Sequence, residues 1–316
     1  MTIHAPVLAQ PPLPNAAPSR RRSTPLLPAL AVCGTVLMSA SAFIVMRWAA
    51  PDIAPGPFAL LRLVTASAVL SILLLVLRQR PIRPSPRVLL LTLTFGVLSF
   101  ALYTLVFNWA GHFLDAGTVA LIINFSPLMI GLGAVFFLGE AFSRRLFSGI
   151  LTALLGIILI AVAGSLGHVA IVGLVLSFLA AVLYSAGVLV QKVVLRSIDP
   201  LATMWIGCLA ATAALLPFTP QAVTAITAAP LSTILGAVYL GAGPTALGYL
   251  FWGYAMNHFS TGQLASSNLA VPALVVAASA MLLGETPPVL AIIGGAICLA
   301  GVGITQLRRP PQRLQE

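Results

Sequence analysis

Residues 116–140 read AGTVALIINFSPLMIGLGAVFFLGE, and residues 261–285, which lie 145 positions later, read TGQLASSNLAVPALVVAASAMLLGE. Both stretches are mostly apolar, carry a proline near the middle and end in Leu-Gly-Glu. The hydrocarbon core of a bilayer is crossed by a helix of about 20 residues, and each stretch is long enough to do so. The pair predicts a membrane protein with an internal repeat.

The composition of the whole chain indicates the same environment. Of 316 residues, 59% are hydrophobic and 7% are charged, whereas soluble domains carry about 25% charged residues. Such a chain cannot cover a soluble globular surface, so we expect the lipid bilayer as its partner and no nucleic acid, despite the net charge of +10. The apolar runs are continuous rather than alternating, which favours spanning helices over barrel strands.

The apolar runs predict an all-α integral membrane protein with ten transmembrane helices. The predicted spans are Leu26–Ala49, Phe58–Leu77, Val88–Ala110, Ala116–Leu138, Leu146–Gly164, Val169–Val190, Leu201–Phe218, Ser232–Ala255, Gly262–Leu283 and Pro288–Leu307.

The distribution of basic residues predicts the orientation of these spans. With the N-terminus inside, 14 of the 16 Lys and Arg residues fall in segments on the inner side, and short cytoplasmic loops are the ones enriched in Lys and Arg. We therefore expect a multi-pass protein of the plasma or inner membrane. Its two tails, residues 1–25 and 308–316, are then both cytoplasmic.

The repeat predicts how the helices are grouped. An ungapped comparison of residues 96–156 with 241–301 finds 14 identities over 61 positions. The offset of 145 covers five spans, so the two copies cross the membrane in opposite directions. We expect five-helix repeats at 26–165 and 168–307, and inverted repeats of this kind are typical of secondary transporters, which bind substrate where the repeats meet.

Several motifs also resemble a known family. They are Ser39-Ala40-Ser41-Ala42-Phe43 through Arg47, Pro57-Phe58-Ala59-Leu60-Leu61-Arg62, Pro127 with Leu138-Gly139-Glu140, and Pro272 with Leu283-Gly284-Glu285. Together they resemble the EamA family of the drug/metabolite transporter superfamily, although Leu201–Trp205 contains no counterpart of Arg62. The resemblance implies two five-helix repeats around a central cavity, and export of small metabolites such as amino acids or toxic analogues by alternating access.

Arg62 is the candidate anchor for a substrate carboxylate. An arginine within a span costs about 2.5–3.5 kcal/mol on insertion scales and is a functional candidate for that reason. Because Arg62 lies four residues after Phe58, its head group could instead snorkel to the outer interface.

Aromatic and amide residues within the spans are the other candidates for lining the cavity. They are Tyr103, Phe107 and Asn108 in the third span, Asn124 in the fourth, Tyr184 in the sixth, Tyr249 and Trp252 in the eighth, and Asn268 in the ninth. Pro127 and Pro272 follow the amides of the fourth and ninth spans and predict kinks or hinges there. The alternative for all of them is ordinary helix packing with interhelical hydrogen bonds.

The Gly-Glu pairs at Gly139-Glu140 and Gly284-Glu285 are expected to end spans and cap the helices that follow, because carboxylates favour helix N-termini.

No Asp or Glu lies in the middle of a span, so we expect facilitated export, or proton coupling without a mid-span carboxylate. Small-residue pairs such as Gly149 with Ala153 predict helix packing or the contact of a homodimer.

We expect a transporter and not an enzyme, with no cofactor and no metal. The chain has no phosphate-binding Gly-Lys-Ser/Thr loop and no cluster of Cys or His with metal-ligand spacing. Two alternatives stay open at this point. A nucleotide-sugar or sugar carrier would require more arginines in the cavity, and an intramembrane lipid-modifying enzyme would require clustered acids or histidines.

Overall fold

The computed structural model describes residues 26–78, 84–138, 144–164, 168–256, 267–268, 270–285 and 287–306. These residues form helices and connecting turns, with no β-strand among them. The helices are α1 (Leu26–Ala49), α2 (Pro55–Val76), α3 (Pro86–Gly96), α4 (Tyr103–Ala110), α5 (Ala116–Ile123), α6 (Ser126–Leu138), α7 (Arg144–Gly164), α8 (His168–Val194), α9 (Pro200–Leu215), α10 (Thr219–Ala228), α11 (Leu231–Leu240), α12 (Gly248–Met256), α13 (Ala270–Leu282) and α14 (Val289–Gln306).

The chain is a multi-pass membrane protein. Seven helical segments of the described residues are long and apolar enough to cross a bilayer. Three shorter apolar helices, Phe147–Gly156, Ala270–Leu282 and Val289–Ile304, lie at the positions of the fifth, ninth and tenth predicted spans. The expected cytoplasmic tails, 1–25 and 308–316, are outside the described residues.

Two spans contain a π-helical segment at equivalent positions. Val97–Leu102 joins α3 to α4, and Gly241–Leu247 joins α11 to α12. The two segments coincide within one residue at the offset of 145, and π-helical turns inside α-helices occur frequently at functional sites. Sequence periodicity does not distinguish such a turn from a continuous helix.

Two predicted spans differ from the observed helices. The fourth is interrupted at Asn124 and Phe125, directly before Pro127 in the first turn of α6. The seventh does not end at Phe218, because the turn Leu216–Phe218 leads into α10. Pro220 is tolerated there because the first turn of a helix needs no N–H at that position.

The apolar interior is divided into two large clusters. One is formed mainly by α1, α4, α5, α8 and α13, and Tyr103 packs against it. The other is formed mainly by α2, α3, α9 and the two π-helical segments, and Tyr249 packs against it. The side chains between these clusters therefore come from both halves of the chain.

Glycines let helix backbones of the two halves touch. A Cβ on Gly96 would lie 2.7 Å from the Cα of Gly207, and a Cβ on Gly241 would overlap the carbonyl oxygen of Arg62. Since Gly207 and Gly241 lie 145 positions after Arg62 and Gly96, these two contacts are equivalent. Small residues serve this purpose in membranes, where close packing rather than the hydrophobic effect holds helices together.

Close backbone contacts at glycines are also paired at the offset of 145 where α7 crosses α14. A Cβ on Gly156 would lie 2.6 Å from the backbone nitrogen of Cys298, and one on Gly301 would lie 2.6 Å from the carbonyl oxygen of Gly149 and 2.7 Å from the nitrogen of Ala153. Gly156 and Gly301, like Ala153 and Cys298, are 145 positions apart. The predicted small-residue pair of the fifth span therefore packs against α14 of the same chain.

Candidate functional site

Arg62 of α2 is buried, with 9% of its surface exposed. Its Nε donates a hydrogen bond of 3.0 Å to Oγ1 of Thr245. Its Nη1 is buried and has no hydrogen-bond partner among the described residues. The side chain thus points into the protein instead of snorkelling to the end of the helix, and it keeps unused donors for a further acceptor.

The π-helical segment Gly241–Leu247 places Thr245 beside this guanidinium. Pro244 has no N–H, and the π-helical register pairs the carbonyl of Leu240 with residue 245, one position later than in an α-helix. The hydroxyl of Thr245 donates to that carbonyl at 2.8 Å. Gly241 brings the segment against α2, because any larger side chain would collide with the backbone at Arg62.

Tyr103 and Tyr249 lie near Arg62, and each of them packs against a further aromatic ring. The rings of Tyr103 and Tyr184 are 5.5 Å apart, and those of Phe100 and Tyr249 are 6.0 Å apart. The guanidinium is close enough to Tyr103 and Tyr249 to interact with them electrostatically. The three tyrosines are half-buried, so they leave surface for a ligand.

Phe107 packs between Tyr103 and Phe43. Its ring stacks on Tyr103 at 5.6 Å and meets Phe43 edge-on at 5.2 Å. With 1% of its surface exposed, Phe107 fixes the position of Tyr103 and has little surface left for a ligand of its own.

The predicted amides lie apart from one another. The Nδ2 of Asn108 donates to the carbonyl of Pro55 at 3.4 Å, and its buried Oδ1 has no partner among the described residues. Asn124 donates to the carbonyl of Ala120 at 2.9 Å, within its own helix. Asn268 is half-buried and helical, four residues before Pro272. Of the three, Asn108 alone has a buried oxygen without a described partner.

Trp252 is also separate from the arginine. It packs with Ala31 and Ala255 in a small cluster between α1 and α12. The structure thus brings together Arg62 and the three tyrosines from the sequence candidates, and it adds Thr245 and Phe100 to them.

The Gly-Glu pair at 284–285 has a different role from the predicted helix cap. Gly284 adopts a positive φ of 66° in the turn after α13, which directs the following residue back toward α1. Oε1 of Glu285 accepts from Nε and Nη2 of Arg47 at 2.8 and 2.7 Å. Arg47 also donates from Nη1 to the carbonyl of Gly111 at 2.7 Å. The other pair, Gly139 and Glu140, lies outside the described residues.

His112 lies beside this ion pair in the turn after α4. Desolvation of the imidazole lowers its pKa from the ordinary 6.5, and the neighbouring Arg47 cation lowers it further. His112 is therefore uncharged at neutral pH.

Among the residues that the structure describes, no group of three or more His, Cys, Asp or Glu side chains is placed to hold a metal ion.

Over the part of the chain that the structure describes, these features define a multi-pass membrane protein with a single buried cation, which lies near aromatic side chains. The model of the EamA-like transporter family matches residues 26–162 and again residues 171–306. The chain therefore belongs to the EamA-like transporter family.

Curated relatives are similar over most of their length. The chain is 32% identical to a probable terminal-alkyne amino-acid exporter of Streptantibioticus cattleyicolor, over 87% of this chain and 91% of the relative. It is 28% identical to a probable amino-acid metabolite efflux pump of Salmonella typhimurium, over 68% and 73% of the two chains. A solved crystal structure with 18% identity matches 88% of this chain and 96% of its own with a TM-score of 0.59, which supports the fold.

Proposed function

We propose that this protein exports amino acids or closely related metabolites across the inner membrane, and that Arg62 binds their carboxylate. The observation that carries the proposal is the buried Nη1 of Arg62, which has no described partner, together with the half-buried Tyr103 and Tyr249 near the guanidinium. An isolated buried charge is costly, and a carboxylate would compensate it with charge-assisted hydrogen bonds. The names of two relatives support amino acids as the substrate class.

The tyrosines would hold the substrate's side chain. Tyr103 and Tyr184 come from the third and sixth predicted spans, and Tyr249 comes from the eighth, so a ligand on Arg62 would contact both halves of the chain. A small apolar or unsaturated side chain suits these ring faces. A nucleotide-sugar is less suitable, because its two phosphates would need more than one buried cation.

The proposed architecture is ten helices in two inverted repeats, 26–165 and 168–307, around a central cavity. The paired glycine contacts at an offset of 145 support it. The contact of Arg47 with Gly111 and Glu285 also supports it, because ten crossings place the ends of the first, third and ninth spans on the same side. We further propose cytoplasmic termini and alternating access without a catalytic step.

A resistance experiment tests the exporter function. Cells that lack their own amino-acid exporters and express this protein are challenged with L-propargylglycine, an amino acid with a terminal alkyne, and in parallel with a cationic drug. We expect resistance to the amino acid and none to the drug. Resistance to the drug alone, or no resistance with confirmed membrane expression, would refute the proposal.

Arg62 variants test the binding site in the same cells. Arg62→Gln should abolish resistance, since loss of a charge-assisted hydrogen bond costs about 1.5–3 kcal/mol and would raise KM at least about tenfold. Arg87→Gln is the matched control, because Arg87 is exposed at the start of α3.

A fusion experiment tests the orientation. A reporter fused after Arg313 should give a cytoplasmic signal, and an exterior signal would refute the proposed orientation.

A further inference from the structure

We propose that Thr245 is a positioning residue, which fixes the guanidinium of Arg62 so that its Nη1–Nη2 edge receives the carboxylate of a monoanionic substrate. The inference rests on the proposed function and adds a residue and a binding geometry to it. Thr245 does not touch the ligand in this arrangement. It acts through Arg62, to which it is bonded at 3.0 Å.

The polarity of the Thr245 hydroxyl is determined by its other neighbour. A hydroxyl has one proton to donate, and Thr245 gives it to the carbonyl of Leu240 at 2.8 Å. Toward Arg62 the oxygen can therefore act as an acceptor only. The bond from Nε has one direction, and it holds the guanidinium in one orientation.

The π-helical segment sets the position of Thr245 relative to Leu240. Pro244 has no N–H to offer the carbonyl of Leu240, and the π-helical register pairs that carbonyl with residue 245, five positions later. The hydroxyl of Thr245 donates to the same carbonyl as an additional hydrogen bond. Valine at position 245 would have nearly the same shape but no hydroxyl to connect this carbonyl with Arg62.

The bond to Thr245 also selects which edge of the guanidinium is open. An arginine can bind a carboxylate through Nε and one Nη, or through its two Nη atoms. Thr245 occupies Nε, which leaves the pair of Nη atoms as the available fork, and Nη1 has no described partner. Holding this fork in place before the ligand arrives reduces the entropy that is lost on binding.

The second half of the chain does not provide an equivalent anchor. At the offset of 145, Arg62 corresponds to Gly207, where a Cβ would lie 3.1 Å from the ring of Phe95. Thr245 corresponds to Phe100, whose ring packs against Phe95 at 5.2 Å. The site thus offers one anchored cation, which fits a substrate with a single carboxylate.

Transport kinetics in proteoliposomes test this inference with two probes, L-propargylglycine and but-3-ynylamine, which is the same molecule without the carboxylate. Thr245→Val should raise KM for the amino acid about tenfold, the effect of one hydrogen bond of about 1.4 kcal/mol, and leave kcat unchanged. Thr245→Ser should restore KM to within about twofold. The kinetics of the amine should be the same in wild type and in both variants.

A matched control separates positioning from general stability. Thr92 is also fully buried and donates to a carbonyl of its own helix, that of Val88, at 2.8 Å, but no cation of the described residues is bonded to it. Thr92→Val should leave both probes unaffected. The inference is wrong if Thr245→Val and Thr92→Val behave alike, if Thr245→Ser does not rescue, or if the amine is affected as strongly as the amino acid.

Chemical modification provides a second measurement that does not require transport. Phenylglyoxal condenses with the two Nη atoms of an arginine, and mass spectrometry of the purified protein reports its reaction at Arg62. Propionate should protect Arg62 in the wild type and in Thr245→Ser, and much less in Thr245→Val. Thr245-dependent protection without any amino-acid transport would refute the exporter function and support the positioning role. Protection that is independent of Thr245 would refute the positioning role.

Discussion

Replacing Gly241 with alanine should destabilise the protein, because the α2 backbone lies directly against this residue. A Cβ at position 241 would overlap the carbonyl oxygen of Arg62 and lie 2.7 Å from the Cβ of Thr65. Restoring ordinary contact at 3.4 Å requires a separation of about 0.7 Å at Thr65 and a larger one at the carbonyl oxygen. Overpacking of this kind costs about 1–3 kcal/mol. Since the obstacle includes backbone, which cannot change rotamer, we expect a value near 3 kcal/mol.

Gly248→Ala is the matched control for this substitution. A Cβ on Gly248 would have its nearest neighbour at 3.6 Å, which is an ordinary contact. Both variants gain about 1 kcal/mol of helix propensity from alanine, so the difference between them isolates the steric term. We would measure unfolding in mixed micelles by titration with denaturing detergent. Equal free energies of unfolding for the two variants would show that Gly241 is not required for the approach of α2.

Three further measurements address other contacts. Ser67 and Thr212 share a hydrogen bond of 3.0 Å between their hydroxyls, and a double-mutant cycle with Ser67→Ala and Thr212→Val should give a coupling of about 0.6 kcal/mol, whereas additivity would exclude the bond. The pair of Arg47 and Glu285 is about one-quarter exposed, so its coupling free energy should not exceed about 1 kcal/mol, and a larger value would contradict its partial exposure. The lowered pKa of His112 means that the unfolded chain binds more protons than the folded protein below pH 6.5, so stability should fall as the pH drops through this range. His112→Gln should flatten that dependence between about pH 5 and 7, and an unchanged curve would assign it to another group.

Hydropathy predicts the order of the helices well because the bilayer imposes one dominant requirement on each span. The long spans agree with the apolar runs, and the break before Pro127 agrees with the loss of a backbone donor. The boundaries near prolines are less predictable, as Leu216–Phe218 shows, because proline can begin a helix as readily as it ends one.

The candidate site was predictable in its residue types and not in its geometry. An arginine within a span is conspicuous in the sequence, and so are the tyrosines within the third, sixth and eighth spans. The hydrogen-bond partner of that arginine is a threonine 183 positions away. A π-helical turn places this threonine beside the arginine, and such a turn does not change the hydrophobic periodicity of the sequence. The proline inside this span is the one local feature that points to a change in the helical register.

The role of Glu285 shows the same limit. Its position at the end of a span suggests a helix cap, which is a local interaction that the sequence can indicate. The structure instead gives it Arg47, 238 positions earlier in the chain. This pairing depends on the turn at Gly284 and on the contact of Arg47 with Gly111. Both features form only when the helices assemble, so local sequence rules do not predict them.

The crossing of α7 and α14 has a consequence for how the protein is assembled. The backbone that fills the space beside Gly156 belongs to residues 294 and 298, in the last described helix of the chain. At a synthesis rate of about 5–20 residues per second, roughly 7–30 s pass between the two partners. During that interval the backbone that covers Gly156 in the folded protein has not yet been made. The close packing of α7 therefore forms only when the chain is nearly complete.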